Sequence, residues 1–432
     1  MPFHTECGRA GGVPLRVALI GVTGYGFHYF EDLNKLVAAG RVRWAAVTII
    51  NPEAAVKQTR YFSERGVPVY GDYRVMLRKE QGNIDWVCIP TGIGWHQRMT
   101  LDALELGLQV LVEKPLAPTL QDVGEIEQAE RDAGIHIGVG FQHTFLDETW
   151  EIKERLLGGE IGKVDRIDCL ALWPRSQRYY DRNDWAGRLH HEGTWILDSP
   201  LHNGLAHMVN LILFWSGDSL GESGLLRTVG AELYRAKPIE SFDTIRTVAE
   251  MENGIKAGVV LTHSSHHNFD PEVRITGTRG SLLWRYCGHH TFTTDRASSV
   301  LTTPTNERVR EIMFERMADH LEGKAARICT SEMARGTCKW VNAVHDAAPI
   351  RDIPAAHREC ITDHCGDSID TIPGIEYYAM RAYKECRSFS ELEAPWAGAT
   401  FDIDVRKYNA FQGGHCAGSL EMAKAPRRGR NR

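Results

Sequence analysis

A lysine directly follows a short apolar run in the first third of the chain. The run is Val110-Leu111-Val112, and Glu113, Lys114 and Pro115 come next. A wholly apolar run of this length is typical of a strand that is buried on both faces of a parallel sheet. Because Pro115 has no backbone N–H and a fixed φ, the strand must end before it. Lys114 is therefore expected just past the carboxyl end of a strand, where open α/β sheets bind their ligands.

Asp198 and His202 form a second group that could carry chemistry. They lie four residues apart, so both side chains would point to one face if the segment is helical. The pKa of an imidazole lies near neutral pH, which suits histidine to take up and return a proton. The structural alternative is that Asp198 caps a helix and His202 lies on its surface. His207 could take the role of His202 if the helix begins later.

A glycine-rich turn near the amino terminus has the features of a dinucleotide site. Strand-like residues 16–20 lead into Gly21-Val22-Thr23-Gly24-Tyr25-Gly26, and a helical pattern follows. In this context, glycines let the backbone approach a pyrophosphate that sits on the helix N-terminus. The match is incomplete, because Thr23 holds the middle glycine position and Gly24 comes one residue later. A tight turn without a ligand is the alternative.

The end of the next strand bears on the choice of cofactor. Residues 44–50 form an apolar run that ends at Asn51-Pro52-Glu53. In NAD-binding units an acidic residue usually ends this strand and bonds the ribose 2′-OH. Neither an acid nor an arginine for a 2′-phosphate stands at residues 48–51, so the sequence leaves NAD and NADP open.

Two more strands of the first half deliver polar residues to the same edge. The strand at 84–89 breaks at a Pro- and Gly-rich loop that runs from Pro90 through Thr91 to His96. Such a loop could close over a cofactor's ribose. A strand at 135–141 then places His143 at this edge.

The composition is that of an ordinary globular protein long enough for two domains. The chain has 432 residues, of which 43% are hydrophobic and 25% charged, and a net charge of −6. This charge gives no reason to expect nucleic acid or an anionic membrane as a partner. No apolar run approaches the roughly 20 residues of a membrane span. Residues 1–14 lack the apolar core of a secretory signal and are expected to form a flexible leader.

The ten cysteines are dispersed along the chain. In a large protein this favours reduced thiols in the cytoplasm over a disulfide framework. One cluster offers metal-type ligands, namely His357, Cys360, His364 and Cys365. Its spacing matches no common structural zinc pattern, because the last two residues are adjacent. We therefore expect no metal.

Past residue 145 the pattern changes to strands that are joined by hairpins. Asn253-Gly254 separates two strand-like runs and is a strong hairpin signal. These features predict an α+β substrate and oligomerisation domain over residues 146–396, built on an open, mainly antiparallel sheet with one exposed face. Residues 397–432 would then form a C-terminal arm with a basic, disordered end.

Five motifs in this order and at these separations resemble the glucose-fructose oxidoreductase/inositol dehydrogenase/MocA (Gfo/Idh/MocA) family. They are G-V-T-G-Y-G, N-P-E, I-P-T-G-I-G-W-H, V-L-V-E-K-P-L-A and V-G-F-Q-H. The resemblance covers roughly residues 15–396. It implies an N-terminal Rossmann NAD(P)-binding domain over residues 15–145, followed by the α+β domain.

The resemblance also implies an activity and a set of site residues. Family members transfer a hydride between nicotinamide and a secondary hydroxyl or keto group of a sugar, a polyol such as inositol, or a sugar derivative. Their catalytic residues correspond to Lys114, Asp198 and His202 here, although Pro200 stands where relatives commonly have glycine. The residues expected at the cofactor are Gly21, Thr23, Gly24, Tyr25, Gly26, Asn51, Pro90, Thr91, His96, Glu113 and Lys114.

Each member of the catalytic set has an expected role. His202 would be the base, Asp198 would orient it or bind the substrate, and Lys114 would favour the developing alkoxide by its charge. Weaker candidates for substrate contact are His143, Asp184, Trp185, His207 and His263. His263 and His267 would share a face if their strand extends that far.

Two other functions are compatible with the same residues. One is a glycosidase of this fold that oxidises and re-reduces its sugar around a tightly held NAD. The other is a cofactor-binding sensor without activity, which loss of the lysine or the histidine would have favoured. We expect a small-molecule carbohydrate or polyol as partner, and a homo-oligomer, dimer or tetramer.

Overall fold

The computed structural model describes residues 13–415. Residues 1–12 of the predicted leader, Cys7, Cys416 and the basic end of the arm lie outside this range. The helices are α1 (Gly26–Ala38), α2 (Val56–Glu64), α3 (Tyr73–Lys79), α4 (His96–Glu105), α5 (Leu120–Ala133), α6 (Asp147–Leu157), α7 (Gln177–Tyr180), α8 (Ala206–Trp215), α9 (Asn306–Leu321), α10 (Ser331–Ala347) and α11 (Ile375–Glu385).

The strands fall into two large sheets and two short pairs. They are β1 (Leu15–Ile20), β2 (Val42–Thr48), β3 (Val69–Tyr70), β4 (Trp86–Ile89), β5 (Gln109–Val112), β6 (Gly138–Val139), β7 (Val164–Leu172), β8 (His190–His191), β9 (Thr194–Trp195), β10 (Leu226–Arg235), β11 (Thr244–Met251), β12 (Lys256–Thr262), β13 (Phe269–Gly277), β14 (Gly280–Arg285), β15 (His289–Thr294), β16 (Ser298–Thr302), β17 (Ile350–Asp352), β18 (Glu359–Thr362), β19 (Ser368–Thr371) and β20 (Phe401–Asp404).

The chain folds as two compact units. The first runs to Ala117 and adds Asp122–Trp150 and Pro304–Ala334. The second consists of Pro118–Gln121, Glu151–Thr303 and the chain from Arg335 onward.

The first unit is built on a parallel sheet with the strand order β3-β2-β1-β4-β5-β6. Its central strands are almost wholly apolar, and Val17, Val87 and Leu111 have no exposed surface. Burial on both faces explains why these strands carry uninterrupted apolar runs and not an alternating pattern. The order reverses direction between β1 and β4, where the crevice at the carboxyl ends holds ligands in such sheets. The predicted Rossmann architecture is therefore confirmed.

The segment from Pro304 to Ala334 packs with the first unit, although the sequence placed it in the second domain. Asp32 of α1 is fully buried, and its carboxylate accepts a hydrogen bond from the Arg310 Nε of α9 at 3.0 Å. The backbone N–H of Val139 in β6 donates to the carbonyl of Cys329 at 2.8 Å. These contacts join residues far apart in the chain, so local sequence patterns could not show them.

The second unit contains a ten-stranded mixed sheet. Its main path runs β16-β15-β14-β13-β7-β12-β11-β10-β17, and β20 also pairs with β10. The predicted hairpin forms between β11 and β12, with Gly254 in the left-handed region at φ +88°. Most pairs are antiparallel, but β7 pairs with β12 and β10 with β17 in parallel. The prediction of an α+β domain on a mainly antiparallel sheet is confirmed.

The face expected to be exposed is covered by the chain itself. One core cluster combines Leu170 of β7 and Val260 of β12 with Ala379 of α11, Phe389 and Trp396. Helix α11 and the segment after it therefore lie on this face, because their apolar side chains are buried there. The prediction of an exposed face therefore does not hold for β7 and β12, whereas the same face stays exposed at Val300 of β16.

The opposite face of the same sheet is covered by α10. Trp340 in this helix is fully buried, and its indole N–H donates to the hydroxyl of Thr247 in β11 at 3.0 Å. Arg246 of β11 pairs with Val260, so these two side chains share a face. Because successive side chains of a strand alternate between faces, Thr247 lies on the opposite face. Both faces of the sheet are thus occupied around β11 and β12.

Replacing Arg310 with alanine should destabilise the first unit, because the carboxylate of Asp32 would lose a buried partner. Breaking a buried ion pair on one side typically costs about 3–5 kcal/mol, and Lys35, which stays 2.9 Å from the other Asp32 oxygen, should hold the loss to the lower end of that range. The matched control is Arg308→Ala, two residues earlier in the same helix, where a half-exposed arginine pairs with Glu311 and Glu315. That change should cost less than about 1 kcal/mol. Urea unfolding followed by circular dichroism measures both, and equal effects would contradict the assignment.

Candidate active site

The turn between β1 and α1 leaves space that only glycines permit. Gly21 and Gly24 adopt left-handed φ angles of +91° and +56°. A Cβ on Gly26 would lie 2.5 Å from the carbonyl oxygen of Gly21, which no side chain can tolerate. Helix α1 begins at Gly26 and has no acidic residue in its first turn, so the positive end of its dipole is not compensated there. These features fit the pyrophosphate of a dinucleotide, which would be held by backbone N–H groups.

Few polar side chains are available at the end of β2. Thr48 is buried, and its hydroxyl donates to the sulfur of Met76 at 3.3 Å. Ile50 is 69% exposed, and Asn51 beside it is also exposed. The apolar side chain of Ile50 therefore lies next to Asn51, the residue expected to contact the ribose. Asn51 is the first polar residue after the exposed Ile50.

His96 connects the ends of two neighbouring strands. Its ring is buried, with Nδ1 at 2.6 Å from the carbonyl oxygen of Pro115 and Nε2 at 3.0 Å from that of Thr91. Burial lowers the pKa of His96, while both carbonyls act in the opposite direction. The side chain thus fixes the loop after β4 against the residue that follows Lys114. Both ring nitrogens thus face backbone carbonyls.

Glu113 is a buried carboxyl group at the end of β5. Its Oε1 accepts a hydrogen bond from the Tyr29 hydroxyl at 3.1 Å, and its Oε2 accepts one from the Lys114 backbone N–H at 2.9 Å. Gly140 permits this packing, because a Cβ there would lie 2.8 Å from Glu113 Oε1. Burial raises the pKa of Glu113 to about 7, against the opposing charges of Lys114 and Arg310. Lys114 itself is half-buried, and its peptide bond to Pro115 is cis.

His143 follows β6 in the short 3-10 turn Gln142–Phe145. The side chain is 2% exposed, and burial lowers its pKa to about 4. Its imidazole is therefore neutral at physiological pH. The turn itself is fixed by Thr149, whose hydroxyl donates to the carbonyl of His143 at 2.7 Å.

In the second unit, a strained turn presents Asp198. Leu197 is fully buried and has a left-handed φ of +52°, an unfavourable conformation for a leucine. The backbone N–H groups of Ile196 and Leu197 both donate to the carbonyl of Leu189. The Asp198 carboxylate accepts from the Gly187 N–H at 2.6 Å and from the Asn203 amide at 2.8 Å. Strain of this kind is often retained at functional sites.

The helix after this turn begins later than the sequence predicted. Asp198 and His202 lie in turns that precede α8, which starts at Ala206. His202 is fully buried, with Nδ1 at 3.3 Å from the carbonyl oxygen of Leu197. It also lies close enough to His345 to lower the pKa of that residue, which burial brings to about 3. The expectation of a shared helical face was wrong, since both residues precede the helix.

The late start of α8 gives His207 a distinct position. It lies in the first turn of the helix and is half-buried, whereas His202 has no exposed surface. The sequence named His207 as the alternative base for this case. Its greater exposure keeps that alternative open.

The remaining predicted substrate residues differ in their surroundings. His263 is buried beyond the end of β12, which stops at Thr262, so the strand face shared with His267 does not exist. Its Nδ1 lies 2.9 Å from the Tyr180 hydroxyl. Asp184 is exposed and lies 3.3 Å from His191 Nε2. Trp185 is half-buried, with the guanidinium of Arg182 at 5.5 Å from its ring.

The structure groups these residues within each unit. In the first, Gly21, Pro90, Glu113 and Gln142 follow the ends of four parallel strands. In the second, the turn with Asp198 lies beside Tyr179 and Tyr180, whose pKa values its charge helps to raise.

Sequence reasoning missed several residues that support the site, chiefly Tyr29, Arg175 and Asn203. Asn203 directly follows His202 and could have been noticed for its amide. Tyr29 acts on a residue 84 positions away, so no local pattern could reveal it.

The described residues contain neither a metal-binding cluster nor a membrane-spanning helix. Between residues 13 and 415, no group of three or more His, Cys, Asp or Glu side chains could hold a metal ion. No helix in that range is long and apolar enough to cross a membrane.

The titration of Glu113 can be tested by exchanging it for glutamine. A carboxyl group whose pKa is raised by folding contributes stability below its unfolded pKa and loses it as pH rises through the folded value. Because the pKa of Glu113 is about 7, wild type should lose about 3 kcal/mol relative to Glu113→Gln between pH 4.5 and pH 8. Urea unfolding at a series of pH values measures this difference. A constant difference would show that Glu113 titrates normally.

Comparison with known proteins supports the architecture. Residues 15–141 match the family model described as oxidoreductase family, NAD-binding Rossmann fold, and residues 149–283 match the GFO/IDH/MocA C-terminal domain. The fold also resembles a solved inositol dehydrogenase homologue complexed with NAD+ from Azotobacter vinelandii. The TM-score is 0.66 at 17% identity, covering 76% of this chain and 93% of the other. At this identity the likeness shows the fold alone.

Curated relatives share part of the sequence. Scyllo-inositol 2-dehydrogenase (NAD(+)) of Bacillus subtilis is 23% identical over 62% of this chain and 73% of its own length. Inositol 2-dehydrogenase/D-chiro-inositol 3-dehydrogenase of Halalkalibacterium halodurans is 29% identical over 48% of this chain and 54% of its own length. The matches thus span about half to three quarters of these relatives. Since the two family models follow one another across both folded units, the chain belongs to the Gfo/Idh/MocA family of oxidoreductases.

Proposed function

We propose that this protein is an NAD- or NADP-dependent dehydrogenase that acts on a secondary hydroxyl of a sugar or polyol. The observation that carries the proposal is the pair of family matches, one for the nucleotide-binding domain and one for the C-terminal domain. Relatives that share these domains are named inositol, D-glucoside and levoglucosan dehydrogenases. The glycine turn of the first unit supports it, because Gly26 lets helix α1 begin against the Gly21 carbonyl, where a Cβ would collide.

The first unit would hold the cofactor. The backbone of Gly21–Gly26 would bind the pyrophosphate, while Thr91 and Glu113 would line the loops at the neighbouring strand ends. His96 would position these loops, because it contacts the carbonyls of Thr91 and Pro115. When bound, the nicotinamide supplies the hydride acceptor.

The protein's own residues would handle the proton and the charge. His202 would take the proton from the substrate hydroxyl as general base, and His207 is the alternative because it is less buried. Asp198 would bind or orient the substrate from a turn that Gly187 and Asn203 hold in place. The ammonium group of Lys114 would stabilise the developing alkoxide.

We further propose that the protein works in the cytoplasm as a homo-oligomer. The thiols support the first part, since the eight cysteines between residues 13 and 415 are all free. The oligomer, dimer or tetramer, remains a prediction from the sequence.

Exchange of the catalytic residues tests the mechanism. Lys114→Ala and His202→Ala should each lower kcat by about 10²- to 10⁴-fold, because each removes charge or proton transfer at the reacting hydroxyl. Reduction of NAD+ or NADP+ at 340 nm with a panel of inositols and sugars measures this effect. His207→Ala is the control. If it abolishes turnover while His202→Ala does not, the base lies on α8. If both histidine variants keep their turnover, neither His202 nor His207 is the base.

The cofactor site can be tested without turnover. Gly26→Ala should abolish the thermal shift that NAD+ or NADP+ produces, because its Cβ would collide with the Gly21 carbonyl and displace the turn. Gly82→Ala is the matched control, since a Cβ there meets no atom within 4 Å. Circular dichroism should show that both variants are folded. An undiminished shift in Gly26→Ala would mean that this turn does not bind the cofactor.

A further inference from the structure

Two guanidinium groups lie on the ring of Tyr179 without a carboxylate partner. The Cζ of Arg182 is 3.7 Å from the ring centroid, and that of Arg175 is 5.0 Å away. For neither arginine does a carboxylate oxygen lie within 4 Å in the described part of the chain. Arg178, between them in sequence, is 80% exposed and pairs with Asp367 at 3.9 Å. The site around Tyr179 therefore holds two guanidinium groups without a directly paired carboxylate, although the charge of Asp198 also reaches the Tyr179 side chain.

His263 adds a buried N–H group beside these arginines. Its only described contact through a ring nitrogen joins Nδ1 to the Tyr180 hydroxyl at 2.9 Å. The described chain gives this hydroxyl no other partner. The Tyr180 hydroxyl therefore donates its hydrogen to Nδ1, which acts as the acceptor. Burial and the charges of Arg175, Lys237 and Arg182 hold the pKa of His263 well below its usual range, which keeps the ring neutral. The ring proton must then be on Nε2.

The proton on Nε2 has no acceptor within residues 13–415. His263 is 2% exposed, and its Nε2 is buried without a hydrogen-bond partner. The Nε of Arg175 is also buried without an acceptor in this range. Buried donors are normally satisfied, because leaving one unpaired costs its full desolvation. Both groups therefore indicate that an acceptor is supplied by a ligand.

These donors lie beside the turn that holds Asp198. A Cβ on Gly204, at the end of this turn, would be 3.6 Å from His263 Nε2. The charge of Asp198 also helps to raise the pKa of Tyr179, on whose ring Arg175 lies. A substrate bound at Asp198 would thus have the unpaired donors of Arg175 and His263 next to it.

We propose that the substrate carries a carboxylate, so that it is a sugar acid or a polyol acid, and that Arg175 and His263 bind this group. The inference deepens the proposed dehydrogenase function and rests on it. Arginine and the Nε2–H of His263 can only donate hydrogen bonds, whereas a substrate hydroxyl would also need an acceptor for its own hydrogen. A carboxylate accepts only, and guanidinium groups bind it with charge-assisted hydrogen bonds. The Trp173 ring, 5.2 Å from the Arg175 guanidinium, provides an apolar face for the carbon skeleton.

The test compares matched acids and neutral sugars on the full chain in the presence of NAD+. The pairs are glucuronate and glucose, galacturonate and galactose, and gluconate and sorbitol, with glucose 6-phosphate as a separate anion. Binding is measured by thermal shift, and hydride transfer by absorbance at 340 nm. We expect at least one acid to bind more tightly than its neutral partner. Arg175→Gln should weaken that binding by about 10- to 100-fold, whereas the nearby Arg178→Gln should not change it.

A second variant, at His263, separates loss of the carboxylate contact from a general loss of folding. His263→Gln should weaken binding of the same acid without changing its neutral partner's affinity. If no acid binds, or if acids and neutral sugars bind equally, the carboxylate inference is overturned. Preference for glucose 6-phosphate over every acid would also overturn it. Binding of an acid that depends on Arg175 but yields no NADH would support the carboxylate site while contradicting the dehydrogenase function.

Discussion

One buried imidazole in the first unit bridges the ends of two neighbouring strands. His96 contacts the carbonyl oxygens of Thr91 and Pro115, so it fixes the loop after β4 relative to the end of β5. A neutral ring carries one N–H and can donate to only one of these oxygens, whereas the protonated ring could satisfy both. Burial disfavours the protonated form, and the two carbonyls favour it. The contact of the His96 ring with the chain at Pro115 is therefore a balance between desolvation and hydrogen bonding.

Buried carboxyl groups in the two units are stabilised in different ways. Glu113 has a tyrosine hydroxyl and one backbone N–H as partners, and burial leaves it close to half-protonated near neutral pH. Asp198 instead accepts a short backbone hydrogen bond from Gly187 together with the amide of Asn203. Each carboxyl group orders the chain around it. In the first case this is the backbone of Lys114, and in the second it is the turn that leads to His202.

Much of the first unit could be predicted from the sequence, because its strands are short apolar runs that end in Gly or Pro. The hairpin at Asn253-Gly254 was equally clear. The turn at Leu197 was not, since nothing in the residue type announces a leucine with positive φ. One signal was available there: Pro200 disfavours helical geometry at Ser199, which argued against a regular helix from Asp198 to His202. The packing of α9 on α1 depends on ion pairs between residues far apart in the chain, which local periodicity cannot indicate.

The covering of the large sheet by α11 limits how copies of this chain could assemble. Ala379, Phe389 and Trp396 share a core with Leu170 and Val260, so this face is part of the protomer's interior. Stacking two such sheets face to face would require peeling α11 and the following segment away, with exposure of that core to water. An association that keeps the protomer intact therefore cannot use this part of the face, whereas strand edges, loops, outer helix surfaces and the exposed side chains of β16 remain accessible. Helix α11 and the segment after it thus restrict quaternary structure by completing the core of the protomer.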